Sequence, residues 1–249
     1  MRPENPYSRR EFVALSFAGP LVGWIPWLRP KEILLGSSRF QIVRHGRSSR
    51  RYVLLRGDED GARQLLLQHM ESQRGTAYLA AGGASDVEIE GGKLDPNRVF
   101  SRAGAEASLK SLNPGWSESQ VAAALDLLDG QRERLLSALF PPDRGLLIAL
   151  GSDAGAHSAI DRAAFGDRSS LPQRDNPEAF YLCTDSADYQ ALAASPYNVV
   201  LAQHVRARDD GSLARRAAAR EIRYLDIEAR RGDNAAQREM LAWAEVHLR

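Results

Sequence analysis

Four short stretches carry residues whose types and spacing could do chemistry. They are Arg56-Gly57-Asp58-Glu59, Asp95-Pro96-Asn97-Arg98, Leu150-Gly151-Ser152-Asp153 and Asp226-Ile227-Glu228. A carboxylate such as Glu59 can hold a divalent metal, and one such as Glu228 can take a proton from an attacking water. An Asn-Arg pair such as Asn97 and Arg98 can grip a ligand carboxylate, because the planar guanidinium presents parallel N–H donors. Arg56 could polarise a carbonyl, and His157 adds an imidazole just beyond Gly151. Each stretch also has a purely structural reading. The corner at 56–59 is a turn followed by acidic residues that suit a helix N-terminus. Asp95-Pro96 is ordinary turn chemistry. Glu228 could be a surface carboxylate beside Arg230 and Arg231.

These residues need elements to position them. Short apolar, β-rich runs fall at 40–44, 52–56, 76–81, 145–150, 179–184, 197–202 and 222–228. Several are almost wholly apolar, as strands covered on both faces tend to be. Helical patterns fall between them, near 60–73, 118–139, 186–194, 212–220 and 233–248. The clearest opens at Ser117, which has capping-box spacing to Gln120 and is followed by Val121, Ala124, Leu125, Leu128, Leu135, Leu136 and Leu139 at helical intervals. Such alternation predicts one α/β domain with a mostly parallel or mixed sheet flanked by helices. In open α/β sheets chemistry gathers at the carboxyl ends of strands, and all four stretches sit at or just beyond such ends. The segment 151–178 reads as a long polar loop.

Bulk properties exclude some classes. The chain has 249 residues, 43% hydrophobic and 26% charged, which is ordinary globular composition. A net charge of +1 gives no reason to expect a nucleic acid partner. The single cysteine, Cys183, permits neither an intrachain disulfide nor a cysteine-based zinc site.

Residues 1–30 read as separate from the fold. Ser8, Arg9, Arg10 and Phe12, followed by the apolar stretch from Val13 to Leu28, resemble a twin-arginine export signal. That stretch carries Pro20 and Pro26 and is shorter than the ~20 apolar residues a spanning helix needs. The resemblance implies an exported, periplasmic protein whose N-terminus is either removed or kept as a membrane tether. Residues 31–249 then form the α/β domain.

The order and chemistry of the four stretches resemble the zinc carboxypeptidase superfamily, in particular its succinylglutamate desuccinylase/aspartoacylase-like branch. "DPNRVF" resembles the Asn-Arg motif that holds a substrate carboxylate, which would make Asn97 and Arg98 the substrate-binding pair. Glu59 matches the glutamate of a His-x-x-Glu zinc motif, and Glu228 matches the glutamate that activates the zinc-bound water. Arg56 stands where the first histidine ligand belongs, and Gly151 stands where the third does. A guanidinium stays protonated and a glycine offers no donor atom, so neither replaces an imidazole. Only Glu59 of the three ligands remains, and His157 is the histidine best placed to help rebuild a site. If the chain is an enzyme, the resemblance implies amide hydrolysis. Zinc would sit on Glu59 and His157, Glu228 would be the general base, and Arg56 would polarise the scissile carbonyl. If it is a pseudoenzyme, it implies binding of carboxylate-bearing peptides or acyl-amino acids. An Arg56–Glu59 ion pair would then imitate the charge of the lost metal.

A second resemblance is narrower. Val43-Arg44-His45-Gly46 resembles the Arg-His-Gly motif of histidine phosphatases, in which the histidine accepts the phosphoryl group. That chemistry needs a second histidine after a late strand, where this chain has Gly151.

Overall fold

The computed structural model describes residues 33–153, 158–204 and 209–248. The proposed export segment and His157 lie outside them. The strands are β1 (Leu34–Leu35), β2 (Ser38–His45), β3 (Arg51–Leu54), β4 (Gly75–Ala80), β5 (Val87–Ile89), β6 (Gly92–Leu94), β7 (Leu147–Asp153), β8 (Arg168–Ser170), β9 (Phe180–Cys183), β10 (Asn198–Leu201) and β11 (Tyr224–Arg230). The helices are α1 (Asp60–Ser72), α2 (Arg102–Leu112), α3 (Glu118–Leu139), α4 (Ala159–Ala163), α5 (Ser186–Leu192), α6 (Leu213–Ala219) and α7 (Asn234–His247), with a 3-10 turn at Pro96–Arg98.

Nine strands form one sheet in the order β1-β2-β4-β3-β7-β11-β9-β10-β8, and β5 and β6 form a separate hairpin. The centre of the sheet, β4-β3-β7-β11, is parallel, whereas β2 and β9 join it antiparallel. The sheet is therefore mixed. Strands β4, β9 and β10 are buried at every position, as their apolar runs predict for a two-sided environment.

Alternation along the strands feeds two cores. Val53, Tyr78, Leu147, Leu182 and Tyr224 point to one face and pack with Leu109 of α2 and Leu128 and Leu136 of α3. Tyr52, Leu54, Ile148, Tyr181, Leu225 and Ile227 point to the other and pack with Leu66 of α1, Tyr189 of α5 and Met240 of α7. The result is a single α/β domain of three layers, with the sheet between two helical layers.

All seven expected strands and all five expected helices are present, with ends shifted by a few residues. Segment 151–178 is more structured than its composition suggests. It holds the end of β7, the five-residue α4 and the three-residue β8, which adds an edge to the sheet through β10. The short α4 is held by a capping box between Ser158 and Asp161.

Candidate functional site

The order in which strands are added to the sheet reverses between β3 and β7, which run parallel. From β3 the chain crosses through α1 to β4 on one side, and β7 is added on the other side. A crevice opens at the carboxyl ends of two parallel strands at such a switch point. A cavity of about 250 Å³ lies there. Arg56, Glu59, Asn97, Arg98, Gly151 and Glu228 all line it. In sequence they are spread over 173 positions, from 56 to 228, so only the fold brings them together.

The corner after β3 is tight. A Cβ on Gly57 would lie 2.4 Å from the carbonyl oxygen of Gly82, so only glycine allows the turn to pass the β4 loop so closely. Glu59 then ends the turn at the mouth of α1, where its side chain makes no capping bond to the helix. It is 6% exposed and turns back toward β7, where its Oε1 accepts the Ser152 backbone N–H at 3.3 Å. Its Oε2 is buried without a hydrogen-bond partner among the described residues. Burial pushes the Glu59 carboxyl up to about 7, while the Ser152 N–H and the Arg56 charge pull it down. Near neutral pH a substantial share of Glu59 carries a proton.

Arg56 does not form the close ion pair with Glu59 that the sequence suggested. Its nearest carboxylate oxygen is Asp58 Oδ1, 4.0 Å from its Nε, and its Nε–H is buried without an acceptor. Asp58 is drawn away because its other oxygen is bound by Arg231.

Asn97 and Arg98 occupy the 3-10 turn. Asp95 fixes that turn by accepting the Asn97 N–H at 2.9 Å on its side chain and the Arg98 N–H at 3.0 Å on its carbonyl. The Arg98 guanidinium is oriented by Asp210, whose Oδ2 lies 3.2 Å from Nη1, and by Asp95 at 3.9 Å. Asp210 also faces Arg162 at 3.8 Å and Arg215 at 3.2 Å, and takes the Ser212 N–H at 3.0 Å. Arg162, on α4, lines the same cavity. Sequence reasoning missed both Asp210 and Arg162. Asp209-Asp210-Gly211 carries a turn signal, but nothing local marks Arg162.

Glu228 lies opposite Gly151 in the parallel β7–β11 register, on the same strand face as Tyr224 and Asp226. A Cβ at position 151 would sit 2.8 Å and 3.0 Å from its carboxylate oxygens. The Glu228 side chain therefore fills the space that any side chain at 151 would need. The Gly151 carbonyl accepts from Gln237 Nε2 of α7 at 2.9 Å, which ties the end of β7 to the helix behind it. The alternative pairing for Glu228 is taken up elsewhere, since Arg230 binds Glu178 and Arg231 binds Asp58.

The described residues do not fit a zinc ion. No three His, Cys, Asp or Glu side chains among them gather closely enough to hold a metal. Glu59 supplies one carboxylate, Arg56 is a cation, and the place over Gly151 belongs to Glu228. The histidines among the described residues line no part of the cavity. His69 faces Glu245 at 3.3 Å, and His204 faces Asp167 at 3.1 Å. His45 pairs with Gly75 at the start of β4, the opposite end of the sheet from the cavity, with its Nδ1 3.2 Å from the Gln73 carbonyl. Comparison of the chain with family models, with curated proteins and with solved structures found no match.

Proposed function

We propose that this is an exported protein built on a carboxypeptidase-like frame, which recognises carboxylate-bearing peptides or acyl-amino acids without a zinc centre of the usual kind. The convergence of Asn97, Arg98, Glu59 and Glu228 on one cavity carries the reading, because the resemblance assigns those four residues, distant in sequence, to one site. Arg98 and Asn97 hold the ligand carboxylate, and Asp210 and Asp95 hold Arg98 in place. Glu228 and Glu59 face the part of the ligand that lies deeper, over β7. Export rests on the Arg9-Arg10 segment of the sequence.

Calorimetric titration with N-acetyl-L-alanine and with its carboxamide tests this. A charge-assisted contact to arginine is worth about 1.5–3 kcal/mol, so the acid should bind roughly tenfold or more tightly than the amide. Arg98→Ala should abolish that preference. Equal binding of acid and amide, or no binding of either, overturns the proposal. Hydrolysis of the acid in the presence of zinc would instead show a metal site completed from outside the described residues.

A further inference from the structure

The end of the sheet opposite the cavity carries a surface that the ligand reading does not use. The carboxyl end of β2 and the amino ends of β3, β4 and β7 lie together there. His45 pairs with Gly75, Arg51 pairs with both Thr76 and Leu147, and a Cβ on Gly145 would lie 2.3 Å from the Ser49 carbonyl oxygen. The segments that form this end, 44–51, 71–76 and 141–147, hold six arginines against two acidic residues, Glu71 and Asp143. Arg50 is paired with Glu245. Arg51 meets uncharged acceptors, the Ser48 and Arg50 carbonyls at 3.3 Å and Thr76 Oγ1 at 3.4 Å. Arg44, Arg47, Arg74 and Arg144 are exposed and have no ion pair among the described residues. By contrast, the exposed Arg102, Arg230 and Arg231 each hold a carboxylate. The chain as a whole carries a net charge of +1, so this positive field belongs to one face and not to the molecule.

We propose that this face docks on an anionic phospholipid surface. A guanidinium pairs with phosphodiester oxygens through parallel N–H donors, and an arginine without a protein partner gains most from the negative potential of such a surface. The face also offers an apolar group. Ile42 is 36% exposed and lies two residues before Arg44 on the same face of β2, where it can enter the headgroup layer between the charges. Nucleic acid presents phosphates too, but the three segments contain no Phe, Tyr or Trp on which a base could stack. A second copy of the chain would set like charge against like. The cavity is at the other end of the strands, so docking leaves it open to solvent. The proposal does not need the carboxylate-bearing ligand. It agrees with residues 1–30 as a tether, which would hold the domain beside a bilayer.

Sedimentation of the full chain with phospholipid vesicles tests this. Vesicles of phosphatidylcholine with about 30% phosphatidylglycerol should bind more chain than phosphatidylcholine alone. Raising sodium chloride from about 0.1 M to about 1 M should release it, because the screening length falls from about 10 Å to about 3 Å. Each arginine near an anionic surface is worth roughly fivefold in partitioning. The triple variant Arg44→Gln, Arg47→Gln, Arg74→Gln should therefore partition on the order of 100-fold less onto the mixed vesicles. Arg47→Gln alone, in the exposed turn between β2 and β3, should lose about fivefold, and it serves if the triple variant does not fold. Arg102→Gln, Arg174→Gln, Arg238→Gln removes the same charge away from this face and should stay within about threefold of the native chain. Equal binding to the two kinds of vesicle overturns the proposal. So does a loss no larger in the face variants than in the control, which is what attachment through residues 1–30 alone would give. Binding of an oligonucleotide through the same arginines, with none to vesicles, overturns it in favour of a nucleic acid surface.

Discussion

Glu59 illustrates how a single residue can be costly to the fold and useful to the site. Its carboxyl is raised from 4.5 to about 7 by burial, so the folded state prefers it protonated. Stability from that preference is fully present below the unfolded value. It is lost as pH rises through 7, because the folded chain must then bury a charge that the unfolded chain leaves in water. The shift corresponds to at most about 3 kcal/mol. Glu59→Gln carries no such penalty. Its stability relative to the native chain should therefore rise between pH 5 and pH 8, by on the order of 1–3 kcal/mol. Urea denaturation at several pH values reads this directly, and a difference that does not change with pH would contradict the buried, protonated carboxyl. The same variant keeps a donor but loses the titration, so any pH dependence of acyl-amino acid binding in this range should flatten with it. The groups facing Glu59 are Arg56 and Asp58 from its own corner and Ser152 from β7; the Ser152 N–H and then Arg56 stabilise its charge, and Asp58 opposes it.

At the scale of elements, the site depends on helices that touch it only from behind. Helix α7 fixes the end of β7 through Gln237 and is itself anchored by Glu245 at the other end of the sheet. Glu245 accepts from Tyr52 at 2.7 Å and His69 at 3.3 Å and pairs with Arg50 at 2.8 Å. Burial alone would raise this carboxyl, but His69, Arg50 and Tyr52 together hold it below the usual range. Its contribution is therefore present above the unfolded value and is lost as pH falls through the lower, folded one. Glu245→Gln should cost about 1–3 kcal/mol at pH 7, and the cost should shrink in acid below about pH 4. A constant cost across that range would mean that the carboxylate charge is not what holds α7. The elements that carried strong periodicity were legible from the sequence, and those set by a few residues were not. Helix α3 announces itself by its cap and its leucines. Helix α2, "RAGAEASLKSL", has few large apolar residues and is helical because Ser101 caps it and Leu109 packs into a core already built by others. The β5–β6 hairpin turns at Glu90-Gly91, both with positive φ, and each of its strands has only three residues. Arg56, Glu59, Asn97, Arg98 and Glu228 could be picked out because each follows an apolar run or a turn. Arg162 and Asp210 could not, because the fold alone brings them to Arg98 and the cavity, across distances in sequence that no local pattern spans.

On the scale of the whole molecule, one sheet serves two cores, and the cavity sits at the carboxyl ends of the strands that divide them. Adjacent residues of β11 belong to opposite sides: Tyr224 lies in the core that α2, α3 and α6 cover, and Leu225 in the core that α1, α5 and α7 cover. Neither core can lose its packing without exposing the strands that the other uses, so the two should unfold together. Leu136 lies in the first core at 2% exposure and Leu66 in the second at 0%. Truncating either to alanine should cost about 2–5 kcal/mol through lost transfer energy and a residual cavity. Both losses should appear as an earlier midpoint of one transition, with tryptophan fluorescence and far-ultraviolet circular dichroism coincident in each variant. Two separated transitions, with Leu136→Ala moving one and Leu66→Ala moving the other, would show that the layers fold as independent units. The distinction bears on the site, because Arg98 is presented from the α2 side of the sheet and Glu59 from the α1 side. If the layers are one cooperative unit, ligand binding should stabilise both cores equally. The midpoint gain from a saturating acyl-amino acid should then be the same in either leucine variant.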